Sequence, residues 1–390
     1  MVENMLYSKN YTHPITGKKP EVTLSVGNTG TGKTYRFVSE IKELIDSNIV
    51  VISTKDDILE QTNDSLKDKG YEVKVFDFNS LDTFPHYNPL SLLSLGYDAF
   101  DIASMLTHFI KSKFDSPFLG LDEIEKVEID FLCILIRWAA LNENTCNLVA
   151  IYNKLNEIIS SNSIKQFKEE IKDAIPQRLP SSEDTLYLAA SHLYERLSVL
   201  NSKDIQNIML ETDNCFSEID TDKKIAIFVI CPAHNISCKW FRNIVIADLF
   251  KFAYPEEYFM LQTEQEQRTK YVRYFIDEYQ YLGNSALNLY LAQFIRRSRV
   301  HRVAVEIAIQ TLNQLYYMSF PDVYHSIICN SDIIYYHSEY YDEDTLTELL
   351  HFIWCVDEKA EKYISENLHD NQCLLPIDGE IVIDDKLPIQ

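Results

Sequence analysis

No apolar run in this chain is long enough to cross a bilayer: the longest stretches, such as Ile225 to Cys231, fall far short of the roughly 20 residues a spanning helix needs. The N-terminus carries no signal-peptide pattern. A soluble, cytoplasmic protein is the expectation. The eight cysteines are scattered singly with no Cys-x-x-Cys, which argues against a zinc site or a disulfide framework. Several, like Cys133 within Phe131–Leu135, read as reduced core residues. Basic charge is also short, since 36 Lys and Arg face 59 Asp and Glu for a net charge of −23. Such a protein does not coat nucleic acid with its whole surface. Any polyanion contact is confined to local clusters, of which Lys18-Lys19 and Arg296-Arg297-Ser298-Arg299 with Arg302 stand out. There is no internal repeat and no low-complexity tract. Glycine is scarce too, nine in 390 residues, and three of the nine fall between Gly27 and Gly32.

That local concentration has a physical use. Gly27, Asn28, Thr29, Gly30, Thr31, Gly32, Lys33 and Thr34 spell G-N-T-G-T-G-K-T, a complete G-x-x-x-x-G-K-[ST] loop directly after the apolar run Val22–Val26. A strand that ends in a glycine-rich turn can wrap its backbone N–H groups around phosphates, and a helix starting there turns its N-terminus to the negative charge. Tyr35 to Ile45 supplies the helix. Lys33 is expected to reach the β- and γ-phosphates and the Thr34 hydroxyl to bind Mg²⁺. ATP with Mg²⁺ is therefore the expected ligand.

The remaining pattern is α/β. Val22–Val26, Ile49–Ser53, Val73–Phe78, Ile225–Cys231, Val272–Ile276 and Val303–Ile309 are continuous apolar runs, as expected of parallel strands covered on both faces. Between about Tyr97 and Phe216 helix-length amphipathic segments follow one another: Asp122–Leu141, Leu148–Ser160, Thr185–Leu200 and Lys203–Phe216. The expected organisation is a nucleotide-binding domain in two parts, 1–96 and 217–390, interrupted by an all-α domain at 97–216.

Val272–Glu278 is a mostly apolar strand ending in two acids. This places Asp277 to hold Mg²⁺ and Glu278 to orient and polarise an attacking water. Thirty-two residues beyond Glu278 a further strand ends in Gln310, whose amide can donate to a phosphate oxygen and accept from water, and so sense the γ-phosphate. Between them Arg296, Arg297, Arg299 and Arg302 follow the apolar helix Leu287–Phe294. They either complete a neighbouring subunit's site as an arginine finger or contact the protein's own acids.

Several segments together resemble the type IV secretion coupling proteins of the TraG/TraD kind, within the group of hexameric DNA-pumping ATPases that includes FtsK and HerA. They are the phosphate loop; Ser53–Thr62 followed by Gly70–Asp77; Tyr87-Asn88-Pro89-Leu90, close to an [FY]-N-P-L motif; Asp277–Leu282; the Arg-Ser-Arg region; and Gln310–Leu315. The resemblance implies a RecA-like P-loop fold with an inserted all-α domain and a homo-hexameric ring. It further implies DNA, single-stranded with a bound relaxase, as substrate and secretion-channel proteins as partners. Lys33, Thr34, Asp277, Glu278 and Gln310 carry over to the roles given above. Arg299, eleven residues before Gln310, matches the finger. The family's glycine there is replaced around Val300-His301, so Arg297 and Arg302 remain candidates. Family members begin with membrane-spanning helices, whereas barely twenty residues precede the first core strand here, so membrane contact is expected only through a partner protein at the inner face. A secretion assembly ATPase or HerA-like motor, and a non-catalytic docking adaptor, are the alternative readings.

Overall fold

The computed structural model describes residues 4–15, 21–110, 123–141, 143–172, 182–213, 216–220, 223–233, 239–252, 270–282, 285–298, 302–319, 321–339 and 342–387. Among them no helix is long and apolar enough to cross a membrane. By its contacts the chain divides into two units. The first comprises Met1–Asn79, Ser217–His234 and Glu264–Gln390, the second Ser80–Phe216 with Asn235–Thr263.

The first unit is built on a sheet. Its strands are β3 (Glu21–Val26), β4 (Asn48–Ser53), β5 (Glu72–Asp77), β6 (Ile225–Ile230), β7 (Val272–Ile276), β8 (Val303–Ile309), β9 (Asp332–Tyr336), β10 (Gln372–Ile377) and β11 (Glu380–Asp385), and a separate hairpin pairs β1 (Asn4–Leu6) with β2 (Thr12–Pro14). The order across the sheet is β11-β10-β9-β3-β8-β7-β4-β6-β5. From β9 to β5 every pairing is parallel, whereas β10 and β11 run antiparallel at the edge. The continuous apolar runs follow from this position, because β3, β4, β6, β7 and β8 are buried at every residue. Helices α1 (Lys33–Glu43) and α2 (Asp57–Asp68) close the early crossovers, with Phe37, Val38 and Ile41 of α1 packed in one core cluster with Val51, Phe228 and Phe275.

The chain leaves the sheet at β5 and returns at its neighbour β6. The intervening stretch holds α3 (Ala99–Ile110), α4 (Glu123–Ala140), α5 (Leu148–Ser161), α6 (Ile164–Ile171), α7 (Glu183–Arg196) and α8 (Lys203–Leu210), with no strand among its described residues. The second unit also takes in α9 (Lys239–Phe252) and begins at Ser80 rather than at the expected 97. The reason lies in Phe84 and Tyr87: their rings pack on Phe241 of α9, and the Tyr87 hydroxyl donates to Asp248 of the same helix. The Asn-Pro-Leu motif is a local fold element there. Asn88 caps a short 3₁₀ turn by accepting from Leu90 N–H at 3.0 Å, Pro89 starts that turn, and the Asn88 amide donates to Cys146 O at 2.6 Å. The remaining helices, α10 (Tyr279–Leu282), α11 (Ser285–Arg297), α12 (Leu312–Met318), α13 (Pro321–Cys329), α14 (Glu343–Glu348) and α15 (Glu358–Asn367), belong to the first unit.

Four ionisable side chains meet in one cluster in the first unit's core. Arg36 and Glu40 on α1, Arg273 on β7 and Glu306 on β8 are each at most 2% exposed. Arg36 Nη1 lies 2.6 Å from Glu306 and 3.4 Å from Glu40, while Arg273 Nη2 donates to Glu306 at 2.6 Å and also to Glu40. Arg36 further donates to Ser25 Oγ of β3 at 3.2 Å and to Leu6 O at 2.7 Å.

Candidate nucleotide site

Parallel strands bring their carboxyl ends to one edge of the sheet, and ligands of open α/β sheets bind outside that edge. The strand order decides which loops meet there. β3 delivers the glycine-rich loop, its neighbour β8 delivers Gln310, and the next strand, β7, delivers Asp277 and Glu278. Two backbone bonds stitch the edge: Gly27 N–H donates to Ile309 O at 3.2 Å, and Asp277 N–H to Ile52 O at 2.8 Å.

The loop's glycines answer to two constraints. A Cβ at Gly27 would sit 2.5 Å from the Tyr336 carbonyl of β9, so only glycine permits the approach. Gly32 caps α1 at φ 98°, a left-handed conformation costly for residues with a side chain. The loop opens a cleft lined by residues 29–35 together with Asp277, Glu278, Gln280, Ile309 and Gln310.

Within that cleft Lys33, Thr34, Asp277, Glu278 and Gln310 are already paired with protein groups, whereas the buried Gln280 amide has no hydrogen-bond partner among the described residues. The Lys33 ammonium donates to Gly27 O and, at 2.8 Å, to Asn28 O. Burial lowers it to about 8, against the opposing pull of Asp277 and Glu278, and Lys386 adds to the lowering. Thr34 Oγ1 donates to Asp277 Oδ2 at 2.7 Å, and Glu278 N–H donates to Asp277 Oδ1 at 3.0 Å. Burial raises the Asp277 carboxyl above its ordinary range; the Thr34 hydroxyl works against this, and the adjacent Glu278 adds to it. Glu278 itself has φ 50° and accepts a hydrogen bond from Thr54 Oγ1, at the turn after β4. Gln310 Nε2 donates to Thr29 Oγ1 at 3.2 Å, linking the end of β8 to the loop.

The cleft thus gathers Thr29–Thr34, Asp277, Glu278 and Gln310, while Gly27 and Asn28 stand behind it with their carbonyls accepting from Lys33. Thr54 was not anticipated. Its position in the Ser53-Thr54-Lys55 turn, after a strand adjacent to β7, is the signal that could have found it. Arg299 lies outside the described residues. Arg297 ends α11, Arg296 donates through Nε to Ser326 Oγ at 2.8 Å, and the Arg302 carbonyl accepts from Val272 N–H at 3.0 Å. A hydroxyl beside a buried carboxylate is a donor set that suits Mg²⁺, which takes oxygen ligands. Thr34 and Asp277 are the residues that would hold it.

A phosphate-binding loop on a mainly parallel sheet, with an intervening strand between loop and acids and a helical insert, defines a RecA-like P-loop NTPase fold. Comparison with solved structures agrees over nearly the full length. The chain is similar to a bacterial conjugative coupling protein, TrwBΔN70, at 12% identity over 100% of this chain and 89% of that one, with a TM-score of 0.64. It is similar to plasmid coupling protein TrwB in complex with ADP and Mg²⁺ at 13% identity, over 97% and 88% of the two chains, with a TM-score of 0.63. It is also similar to VirB4 of Thermoanaerobacter pseudethanolicus at 10% identity, over 99% and 96%, with a TM-score of 0.60. At these identities the likeness establishes the fold. No protein family and no curated protein sequence matches the chain.

Proposed function

We propose that this chain is an ATP-hydrolysing motor of the conjugative coupling class, which recruits a DNA–relaxase substrate and pumps it into a type IV secretion channel as a homo-hexameric ring. The observation that carries the hydrolytic part is the Thr34–Asp277 contact of 2.7 Å beside Glu278, at the mouth of the glycine loop. Mg²⁺ at that contact would offset phosphate charge. Lys33 binds the β- and γ-phosphates in place of the loop carbonyls it now contacts. Glu278, released from Thr54, orients the water, and Gln310 reports the loss of the γ-phosphate to the strand behind it. The pumping part draws on the fold shared with TrwB.

The equally extensive likeness to VirB4 favours a second reading, a secretion ATPase that energises protein machinery rather than moving DNA. DNA separates the two. In the coupling reading, ATP turnover by the purified protein rises on adding single-stranded DNA and with protein concentration, because a neighbour completes the site. Turnover indifferent to DNA sinks that reading and leaves the VirB4-like one. Mixing Arg299→Ala subunits with Lys33→Ala subunits tests the arginine in trans: activity returns through mixed interfaces if Arg299 is the finger. The net charge of −23 confines DNA contact to a narrow basic lining, so affinity should fall only shallowly with salt.

A further inference from the structure

Stability does not account for four ionisable side chains clustered in the core of one sheet, where burial and the neighbouring Glu306 push the Glu40 carboxyl up to about 8. Removing ions from water costs several kcal/mol each, and replacing a buried ion pair by apolar residues of similar volume is often neutral or stabilising. The placement of these four points elsewhere. Side chains two or four residues apart on a strand share a face, so Arg273 lies on the Asp277 face of β7 and Glu306 on the Gln310 face of β8. On α1, Lys33, Arg36 and Glu40 follow one another at helical spacings of three and four, which also puts them on one side. α1, β7 and β8, which bring Thr34, Asp277 and Gln310 to the cleft, therefore each carry a member of the quartet beneath it, and Ser25 brings in β3 as well.

We propose that Arg36, Glu40, Arg273 and Glu306 are positioning residues for hydrolysis, a charge network that sets the mutual register of α1, β7 and β8 so that Thr34, Asp277, Glu278 and Gln310 meet in working geometry. The inference rests on the ATP-hydrolysis reading above. Arg273 spans Glu40 of the helix and Glu306 of the neighbouring strand, and Arg36 reaches the same Glu306 from the helix. A slide of α1 against β7 or β8 breaks charge-assisted bonds inside the core, where the freed charges find no water, so the elements move together or not at all. Apolar packing, being non-directional, would tolerate small slides. A misplacement of about 1 Å in a catalytic constellation costs about 10²-fold in rate.

Two variants of the full chain separate positioning from stability. Glu306→Gln keeps the shape, removes the carboxylate that both arginines contact and should lower both Tm and kcat. Arg273→Met combined with Glu306→Gln removes one cation together with one anion and leaves Arg36 and Glu40 as a pair within α1, with no ionic tie to β7 or β8. We expect its Tm to recover above that of the single variant. Its kcat should stay about tenfold or more below the parent's, its Kd for ATP within about twofold, and its Mg²⁺ requirement for nucleotide binding several-fold higher. Recovery of kcat together with Tm would show the quartet to be a packing device and overturn the inference while leaving the ATPase reading standing. A parent protein that does not hydrolyse ATP overturns both.

Discussion

Asp277 and Glu306 are acids on neighbouring strands, with Glu306 in register with Phe275, two residues below Asp277. Both are nearly out of water, at 5% and 0% exposure. Their partners differ in kind. Asp277 accepts from a hydroxyl and a backbone N–H and faces the cleft, so burial leaves its charge under-compensated and its pKa raised. Glu306 is pinned between two guanidinium groups. The first carboxylate faces a cleft where a cation or a ligand can reach it; the second is held in ion pairs with two arginines of the protein itself. A site poised for ligand chemistry and a network built for register are thus distinguished by who satisfies the charge, not by how deeply it is buried.

The largest expected effect tests the open side of that contrast. Glu278→Gln should lower ATP turnover by about 10²–10⁴-fold, the range a positioned general base supplies, with ATP affinity unchanged within about twofold. Turnover and equilibrium binding measured on the same preparation check this, and full turnover would remove Glu278 from the catalytic role.

Truncation on the closed side should cost stability instead. Glu306→Ala leaves Arg36 and Arg273 short of a partner and should lower the unfolding free energy by about 3–5 kcal/mol. Asp277→Asn removes a charge that burial already disfavours and should change stability by about 1 kcal/mol or less while abolishing the Mg²⁺ dependence of nucleotide binding. Urea denaturation of the two variants side by side reads the contrast. If both lose several kcal/mol, the distinction between the two carboxylates collapses.

A smaller effect follows from Lys33. Its folded-state pKa of about 8 lies below the unfolded value, about 10.4. Between those two pH values the unfolded chain therefore binds more protons than the folded one. By linkage, stability should rise as pH climbs through that window, and Lys33→Met should remove this rise while raising Tm at neutral pH. Nucleotide affinity should move oppositely, falling above pH 8 as the ammonium that meets the phosphates is lost. Melting curves and ATP binding from pH 7 to 10 give both signs. A parent whose stability is flat across that range contradicts the buried, charged lysine.

The central parallel strands were legible because strands buried on both faces must be continuously apolar, and β3, β4, β6, β7 and β8 match the runs in the sequence to within a residue or so. The edge was harder to see. β10 contains Pro376 and β11 is half exposed, so neither reads as a core strand. The signal for their hairpin was the Asp378-Gly379 pair, whose φ values of 51° and 88° are those of a two-residue turn with both centres left-handed. Arg273 and Glu306 were also hidden, because a charged letter inside an apolar run carries no sign of its partner.

By itself the sequence determined the strand–loop–helix that forms the phosphate loop, the acidic end of β7 and the helical character of the insert, because each is local chemistry: glycines for backbone approach, apolar runs, amphipathic period. Only the tertiary structure decided that β8 stands between loop and acids, that Thr54 holds Glu278, and that Arg36, Glu40, Arg273 and Glu306 close into one network. Those facts depend on which strands become neighbours, and pairing between segments hundreds of residues apart is set by the packing of the whole sheet rather than by any stretch of the chain.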